Sequence, residues 1–468
     1  MILPSDPTSP STSVDPASQD PGHGWRVSRE RPSLPEVFRS VQIPRDLPNN
    51  WWGFARKLLA FSGPGYLVAV GYMDPGNWAT DIAGGSQFNY ALLSVVAFSS
   101  LLAIFLQFLA LKIGVATGRD LAQACRDHFH PAVNFLLWIG QEIAIAACDL
   151  AEVIGSAIAL NLLFGLPLVW GVCLTALDVF MVLFLQSKGF RYVEALVVTL
   201  IAVIAGSFLV QMFLSRPSMG EMALGLLPTR ELLRNHEMLY VAIGILGATV
   251  MPHNLFLHSS IAQTRHYDLT PAGKKEAILF GTIDSTLALF FAFFINAAIL
   301  IVAAATFYRS GHHDVAEIED AYKLLNPLLG VGGASFLFAV ALLASGQNST
   351  LTGTMAGQIV MEGFLHLRLP PVLRRLLTRL VAIVPAVIVT VLMGEHGTAK
   401  LLILSQVILS MALPFAVVPL VMFTNDARKM GEFVNARWVR ITGWVSAVII
   451  IVLNVWLIWE TFSGNAPA

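Results

Sequence analysis

Charge is what this sequence has least of. Only 13% of its 468 residues are Asp, Glu, Lys or Arg, against 56% hydrophobic, and mean hydropathy is +0.68. Soluble globular chains carry roughly 25% charged and 45–50% apolar residues. The deficit therefore excludes most soluble enzymes and any wholly disordered protein. The charge that is present is balanced: 29 Lys+Arg against 30 Asp+Glu leave a net −1, with no basic footprint for nucleic acid. Cysteine is nearly absent, with Cys125, Cys148 and Cys173 as an odd set without CxxC spacing. That indicates neither a disulfide framework nor a zinc site. No GxxxxGK[ST] loop occurs to cradle the phosphates of an ATP-driven pump. No HExxH or GxSxG constellation suggests an intramembrane enzyme. The opening Met-Ile-Leu-Pro-Ser-Asp-Pro lacks a basic stretch and an apolar core, so no cleaved signal peptide is expected. Nothing calls for a cofactor or an obligate protein partner.

What is present is a succession of long apolar stretches. Roughly 20 mostly apolar residues cross the hydrocarbon core. Such stretches fall near 57–86, 91–118, 132–163, 167–187, 192–215, 238–264, 275–308, 331–365, 374–394, 398–424 and 437–461, eleven in all. The chain reads as an all-α polytopic membrane protein, with the bilayer as its partner and the plasma (inner) membrane as its expected location. Residues 1–50 differ. Nine prolines (4, 7, 10, 16, 21, 32, 35, 44 and 48) lie in the first 48 residues, and the expectation is a disordered cytoplasmic tail. The transporter domain then runs over 51–464. With the N-terminus inside, 22 of the 29 Lys and Arg fall on the cytoplasmic side. Six (Arg216, Arg230, Arg234, Arg309, Lys323 and Lys400) fall outside, and Lys112 snorkels from an inner helix end. Eleven spans then place the C-terminus outside.

Two spans carry the same kind of interruption. The first contains Gly71-Tyr-Met-Asp-Pro-Gly-Asn77 and the sixth contains Gly247-Ala-Thr-Val-Met-Pro-His-Asn254. Proline removes a helical hydrogen bond in each. A carboxylate such as Asp74 in mid-span costs about 2.5–3.5 kcal/mol on lenient insertion scales. Five helices separate the two breaks, an odd number, so the second set of five enters the membrane inverted. Paired interrupted helices in inverted halves are the best sequence pointer to a transporter's central site. Unwinding there frees backbone carbonyls. Asp74 adds charge, and Asn77, three residues on, adds an amide oxygen. A lone methionine in an apolar helix, such as Met251, ordinarily packs; as a ligand its soft thioether would contribute little to Ca²⁺ or Mg²⁺ and would suit Mn²⁺, Fe²⁺, Co²⁺ and Cd²⁺ better.

The segments Asp74-Pro-Gly-Asn77 and Met251-Pro-His253 resemble two hallmark motifs of the Nramp family of proton-coupled divalent-metal transporters. Gly346 to Gly363 (GQNSTLTGTMAGQIVMEG) is similar to its long consensus after helix 8, and Ser405-Gln-Val-Ile-Leu-Ser410 to its tenth helix. The similarity runs over about residues 55–460 and is nearest to the bacterial manganese importers. It implies the LeuT-type fold, two inverted five-helix repeats plus an eleventh helix. It also implies metal contact by Asp74, Asn77, Met251 and the Gly71 and Ala248 carbonyls, with Gln406 as a further ligand.

Proton passage has its own candidates. Glu142, Asp149 and Glu152 on helix 3 are spaced seven and three apart, on roughly one face, and a row of carboxylates inside a membrane helix reads as a proton relay. Asp74 can share the task. The resemblance adds Arg379. His253 and His258, past the helix-6 break, titrate in a suitable range. The competing view of Asp149, Glu152 and Arg379 is a buried ionic network. Asp284 and Asn296 match polar family positions without a derivable role, Asp178 is expected to face protein, and Met411-Ala412 departs from the bulkier residues of many relatives. The rival functions are a Na⁺-coupled amino-acid carrier, whose anionic substrate Asp74 would repel, and a Mg²⁺- or Al³⁺-transporting relative, against which Met251 argues.

Overall fold

The computed structural model describes residues 25–26, 32–34, 37–44, 50–177, 190–313, 315, 317–365, 370–393 and 398–462. The expected first span resolves into three helices: α1 (Trp51–Phe61), α2 (Pro64–Gly71) and α3 (Pro75–Phe88). Then follow α4 (Leu93–Thr117), α5 (Leu121–His128), α6 (Pro131–Phe164), α7 (Leu168–Thr175), α8 (Phe190–Ser215) and α9 (Met219–Gly225). The second half contains α10 (His236–Thr249), α11 (Pro252–Ile261), α12 (Pro271–Thr306), α13 (Ile318–Leu329), α14 (Ala334–Leu365), α15 (Pro371–Met393), α16 (Thr398–Ala412), α17 (Pro414–Thr424), α18 (Ala427–Met430) and α19 (Arg437–Phe462). Among the described residues, eight stretches are long and apolar enough to cross a membrane, counting 236–264 and 400–424 as one each. The α2–α3 pair, α7 and α15 fall on the other three expected spans.

Burial separates centre from rim. In the interrupted stretch His236–Thr264, 94% of the best apolar window is buried inside the protein, against 39% for Arg191–Ser215 and 33% for Arg437–Trp459. The α10–α11 pair is thus the axis of the bundle, whereas α8 and α19 turn apolar side chains such as Phe213 and Trp459 outward, as lipid-facing helices do. Around the axis, α6 packs on α14, and α3 packs on α12, α10 and α16.

Local chemistry makes both central breaks. At the first, Asp74 is extended (φ −70°, ψ 165°) and caps α3, its carboxylate accepting from the Asn77 N–H, with Pro75 as the first helical residue. Asp before Pro suits this: Asp is a strong N-cap, the residue before proline avoids helical geometry, and proline is favoured at the first helical position. At the second, Met251 is extended (φ −73°, ψ 124°) ahead of Pro252, which opens α11. A milder interruption at Leu413 and Pro414 separates α16 from α17, with Leu413 still in helical geometry.

Parts of the expected tail lie against the helices. Trp25 is buried, edge-on to Phe423, with the Arg119 guanidinium 4.8 Å and the Lys429 ammonium 4.9 Å from its ring. The Ser33 hydroxyl donates to Asp120. Val41–Gln42 (β1) pairs in parallel with Arg265–His266 (β2). Arg265 also reaches the α1–α2 junction: it donates to the Phe61 and Ser62 carbonyls and pairs with Glu194 at 2.8 Å. Asp284, without a role in the sequence, accepts the Gly65 N–H at 2.7 Å and ties α12 to the start of α2.

Candidate metal-transport site

The two breaks meet at the centre of the bundle. Asp74, Asn77, Met251 and Gln406 are each no more than 1% exposed. Asp74 Oδ1 accepts from the Asn77 backbone N–H at 2.8 Å and from Asn77 Nδ2 at 2.6 Å. Asn77 Nδ2 also donates to the Ala248 carbonyl at 3.1 Å, which joins the first break to the second. Asn296 on α12 donates to the Tyr72 carbonyl at 2.7 Å and lies 3.3 Å from Asn77 Oδ1. It therefore holds both the unwound segment and the amide beside the carboxylate. Ser345 on α14 takes the Met73 carbonyl.

The two carbonyls implied as ligands share a physical origin. In an α-helix the carbonyl of residue i accepts the N–H of residue i+4. Four residues beyond Gly71 is Pro75, and four beyond Ala248 is Pro252. Proline has no N–H, so each break strips the helical partner from one carbonyl, and that carbonyl sits at the end of the preceding half-helix. Asp74 Oδ2 and Gln406 Oε1 are buried and have no hydrogen-bond partner among the described residues. Deep in a membrane protein such atoms are costly unless a ligand satisfies them. The set contains one carboxylate, amide oxygens, freed carbonyls and one thioether. Accordingly, no group of three or more His, Cys, Asp or Glu able to hold a metal occurs among the described residues. Such a donor set suits an ion that must be released again rather than a resident one. Met251 also belongs to a buried apolar cluster with Ala144, Cys148, Leu409 and Ala412. Met411, one residue before Ala412, is exposed.

Gln406 reaches the break because residue 76 is glycine. A Cβ at Gly76 would lie 1.8 Å from Gln406 Nε2 and 2.3 Å from its Cδ. Gly76→Ala should therefore act through Gln406. We expect Gly76→Ala and Gln406→Ala each to weaken Mn²⁺ binding by about fivefold, near 1 kcal/mol, the scale of one polar contact. The double variant should be no weaker than either single variant, as read by calorimetry. Additive losses would separate the two residues.

The helix-3 acids are distributed unevenly. Asp149 and Glu152 on α6 are buried (4% and 1% exposed). Both face α14 at Gly353, where a Cβ would be 3.0 Å from Glu152 Oε1 and 3.4 Å from Asp149 Oδ1. The Cys148 thiol donates to Glu152 Oε1 at 3.6 Å. Glu142 is only partly buried and accepts from Trp138 Nε1 at 3.0 Å. His258 Nδ1 lies 3.0 Å from Gln107 Oε1, and Gln107 donates to the Tyr72 hydroxyl at 2.8 Å. His253 is buried, and its Nδ1 has no partner among the described residues. The Arg379 side chain and Asp178 lie outside the described residues. Local patterns in the sequence do not mark Ser345 or Gln107 and give Asn296 no role, because all three act through tertiary contacts.

Two broken helices whose interruptions meet in one buried place at the centre of a bundle of apolar helices define a multi-pass membrane transporter. The sequence profile described as natural resistance-associated macrophage protein-like (Nramp) matches residues 65–460, and the chain belongs to the Nramp family. It is 64% identical over 434 residues to the divalent metal cation transporter MntH of Nostoc sp., spanning 93% of this chain and 97% of that relative. Among solved structures it is similar to the Eremococcus coleocola manganese transporter in complex with an aromatic bis-isothiourea substituted compound, with 45% identity, a TM-score of 0.84 and 93% of each chain covered. The inward-facing conformation of Mhp1, 13% identical with a TM-score of 0.55 over 96% of this chain and 94% of that one, shares the fold alone.

Proposed function

We propose that this protein imports divalent transition-metal ions, Mn²⁺ foremost and Fe²⁺, Co²⁺ and Cd²⁺ besides, by proton-coupled alternating access around the two breaks. The observation that carries the reading is the meeting of Asp74, Asn77, Met251 and the two proline-freed carbonyls in one buried place. The Gly71 and Ala248 carbonyls, Asp74 and Asn77 supply oxygen, Met251 supplies sulfur, and Gln406 adds an amide from α16. Membership in a metal-transporting family and the buried carboxylate of Asp74 both weigh against an amino-acid carrier.

Import gains from the membrane potential. With the tail inside, as the Lys/Arg bias supports, a divalent ion moving inward gains about 4.6 kcal/mol per 100 mV of inside-negative potential, from about 2.3 kcal/mol per charge. The proton route runs from Asp74 to Asp149 and Glu152, with Glu142 further along α6, His253 and His258 on the half-helix past the second break, and Arg379 as the basic residue that the family resemblance adds. Buried carboxylates inside a membrane helix support a relay.

Selectivity tests the sulfur. An oxygen-only site favours hard ions, and Mg²⁺ and Ca²⁺ outnumber Mn²⁺ in most media. A thioether withholds one oxygen from a hard ion while giving a softer one a partial bond. Met251→Ala should keep Mn²⁺ uptake at reduced affinity, lose more Cd²⁺ uptake, and admit competition by millimolar Ca²⁺ or Mg²⁺. Uptake assays in liposomes measure this, and a variant that excludes both hard ions as well as the parent does would make Met251 a packing residue.

A further inference from the structure

The two breaks are related by more than their prolines. Asp74-Pro-Gly-Asn77 in the first repeat corresponds to Met251-Pro-His-Asn254 in the second. In each, an asparagine follows the extended residue at the break by three positions, one turn into the second half-helix. The contacts obey the same relation. Asn77 reaches across to Ala248, the carbonyl that Pro252 strips of its helical partner. Asn254 lies against Gly71, the residue whose carbonyl Pro75 strips: a Cβ on Gly71 would be 2.2 Å from Asn254 Nδ2 and 3.1 Å from its Oδ1. Asn254 Nδ2 is also 3.6 Å from the Met251 sulfur. The side chain is fully buried, and its Oδ1 has no hydrogen-bond partner among the described residues.

We infer that Asn254 is the second repeat's counterpart of Asn77, an amide ligand that takes the ion on the side of the site nearer the N-terminal tail. The inference rests on the metal-site reading above. Inversion places the two amides on opposite sides of the centre, Asn77 on the half-helix leading to one membrane face and Asn254 on the half-helix leading to the other. In the arrangement described here the Asn254 amide N–H points to the Met251 sulfur. A half-turn about its last side-chain bond exchanges nitrogen for oxygen and brings Oδ1 to the same place, beside Met251 and Gly71. The ion can then pass from Asp74 and Asn77 to the Gly71 carbonyl, Met251 and Asn254 without ever holding fewer oxygens than a half-dehydrated cation requires. That need follows from the cost of bare charge in a low-dielectric interior.

The test is Mn²⁺ binding by calorimetry and Mn²⁺ uptake in proteoliposomes for the full-length chain with Asn254→Asp and Asn254→Ala. Asn254→Asp keeps the shape and adds a charge where the ion passes. It should tighten Mn²⁺ binding at least about tenfold and slow maximal uptake at least about tenfold, because release now works against that charge. Asn254→Ala should leave the dissociation constant within about threefold and lower maximal uptake about tenfold. A structural role alone would not let a substitution tighten binding. An Asn254→Asp protein that is monodisperse and binds Mn²⁺ no more tightly than the parent overturns the inference. Failure of the underlying metal site is distinguished by Asp74→Asn, which would in that case retain Mn²⁺ binding.

Discussion

Asp74→Asn should bind Mn²⁺ at least about a hundredfold more weakly than the parent and still fold. The carboxylate is the anionic side chain among the proposed ligands, and it is fully buried. At an effective dielectric near 20, two unit charges about 4 Å apart interact by about 4 kcal/mol, and an ion of charge +2 doubles this. Part is offset by the carboxylate's own desolvation, and a residual of about 3 kcal/mol corresponds to roughly two decades in affinity. The fold survives because asparagine is as good an N-cap as aspartate. Its amide oxygen can still accept the Asn77 N–H that Asp74 Oδ1 accepts at 2.8 Å. A loss of binding with an unchanged melting temperature therefore reports charge and not collapse. Calorimetric titration checks it, and affinity near that of the parent would remove Asp74 from the site.

Asp149→Asn and Glu152→Gln should part metal flux from proton flux. Each variant keeps the shape of a buried group against Gly353 and removes its capacity to carry a proton. We expect Mn²⁺ uptake to persist at about a tenth of the parent rate or better, while acidification of the liposome lumen per Mn²⁺ taken up falls several-fold. General acid–base groups are commonly worth a factor of about a hundred or more when a proton must pass through them, so a several-fold loss is a conservative expectation. A fluorescent pH indicator inside the vesicles reads this alongside Mn²⁺ entry. If both variants acidify the lumen as the parent does, the pair serves only to hold α6 to α14.

Much of this was legible in the residues because the breaks are made by local chemistry. Asp74-Pro75 and Met251-Pro252 place an extended residue before a helix-starting proline, and the structure shows a half-helix opening at both prolines, the first of them capped by the Asp74 carboxylate. The residues that the sequence and its family resemblance proposed as ligands lie together because most of them sit on those two breaks. Gln406 is the exception: it comes from a distant helix, and its approach depends on the missing Cβ of Gly76. Asn296 was visible as a polar residue on α12, but its hold on Tyr72 and Asn77 is a tertiary fact. The first span read as a single stretch because hydropathy does not register the turn at Ser62–Gly63, which divides α1 from α2. The tail's composition predicts no core of its own. What it does have, Trp25, Ser33 and Val41, are single residues that find places on the helices or on β2, and proline counts carry no information about that.

The central claim is that a buried site at two helix breaks moves a divalent transition metal together with protons. Its most direct test is Mn²⁺ uptake by the purified protein in liposomes, with internal pH followed, an inside-negative potential set by K⁺ and valinomycin, and Mg²⁺ offered in parallel. The account predicts saturable Mn²⁺ entry that rises with the potential, acidification of the lumen in step with it, and no comparable entry of Mg²⁺. Mn²⁺ entry that leaves internal pH unchanged, or Mg²⁺ entry at the same rate, would contradict it.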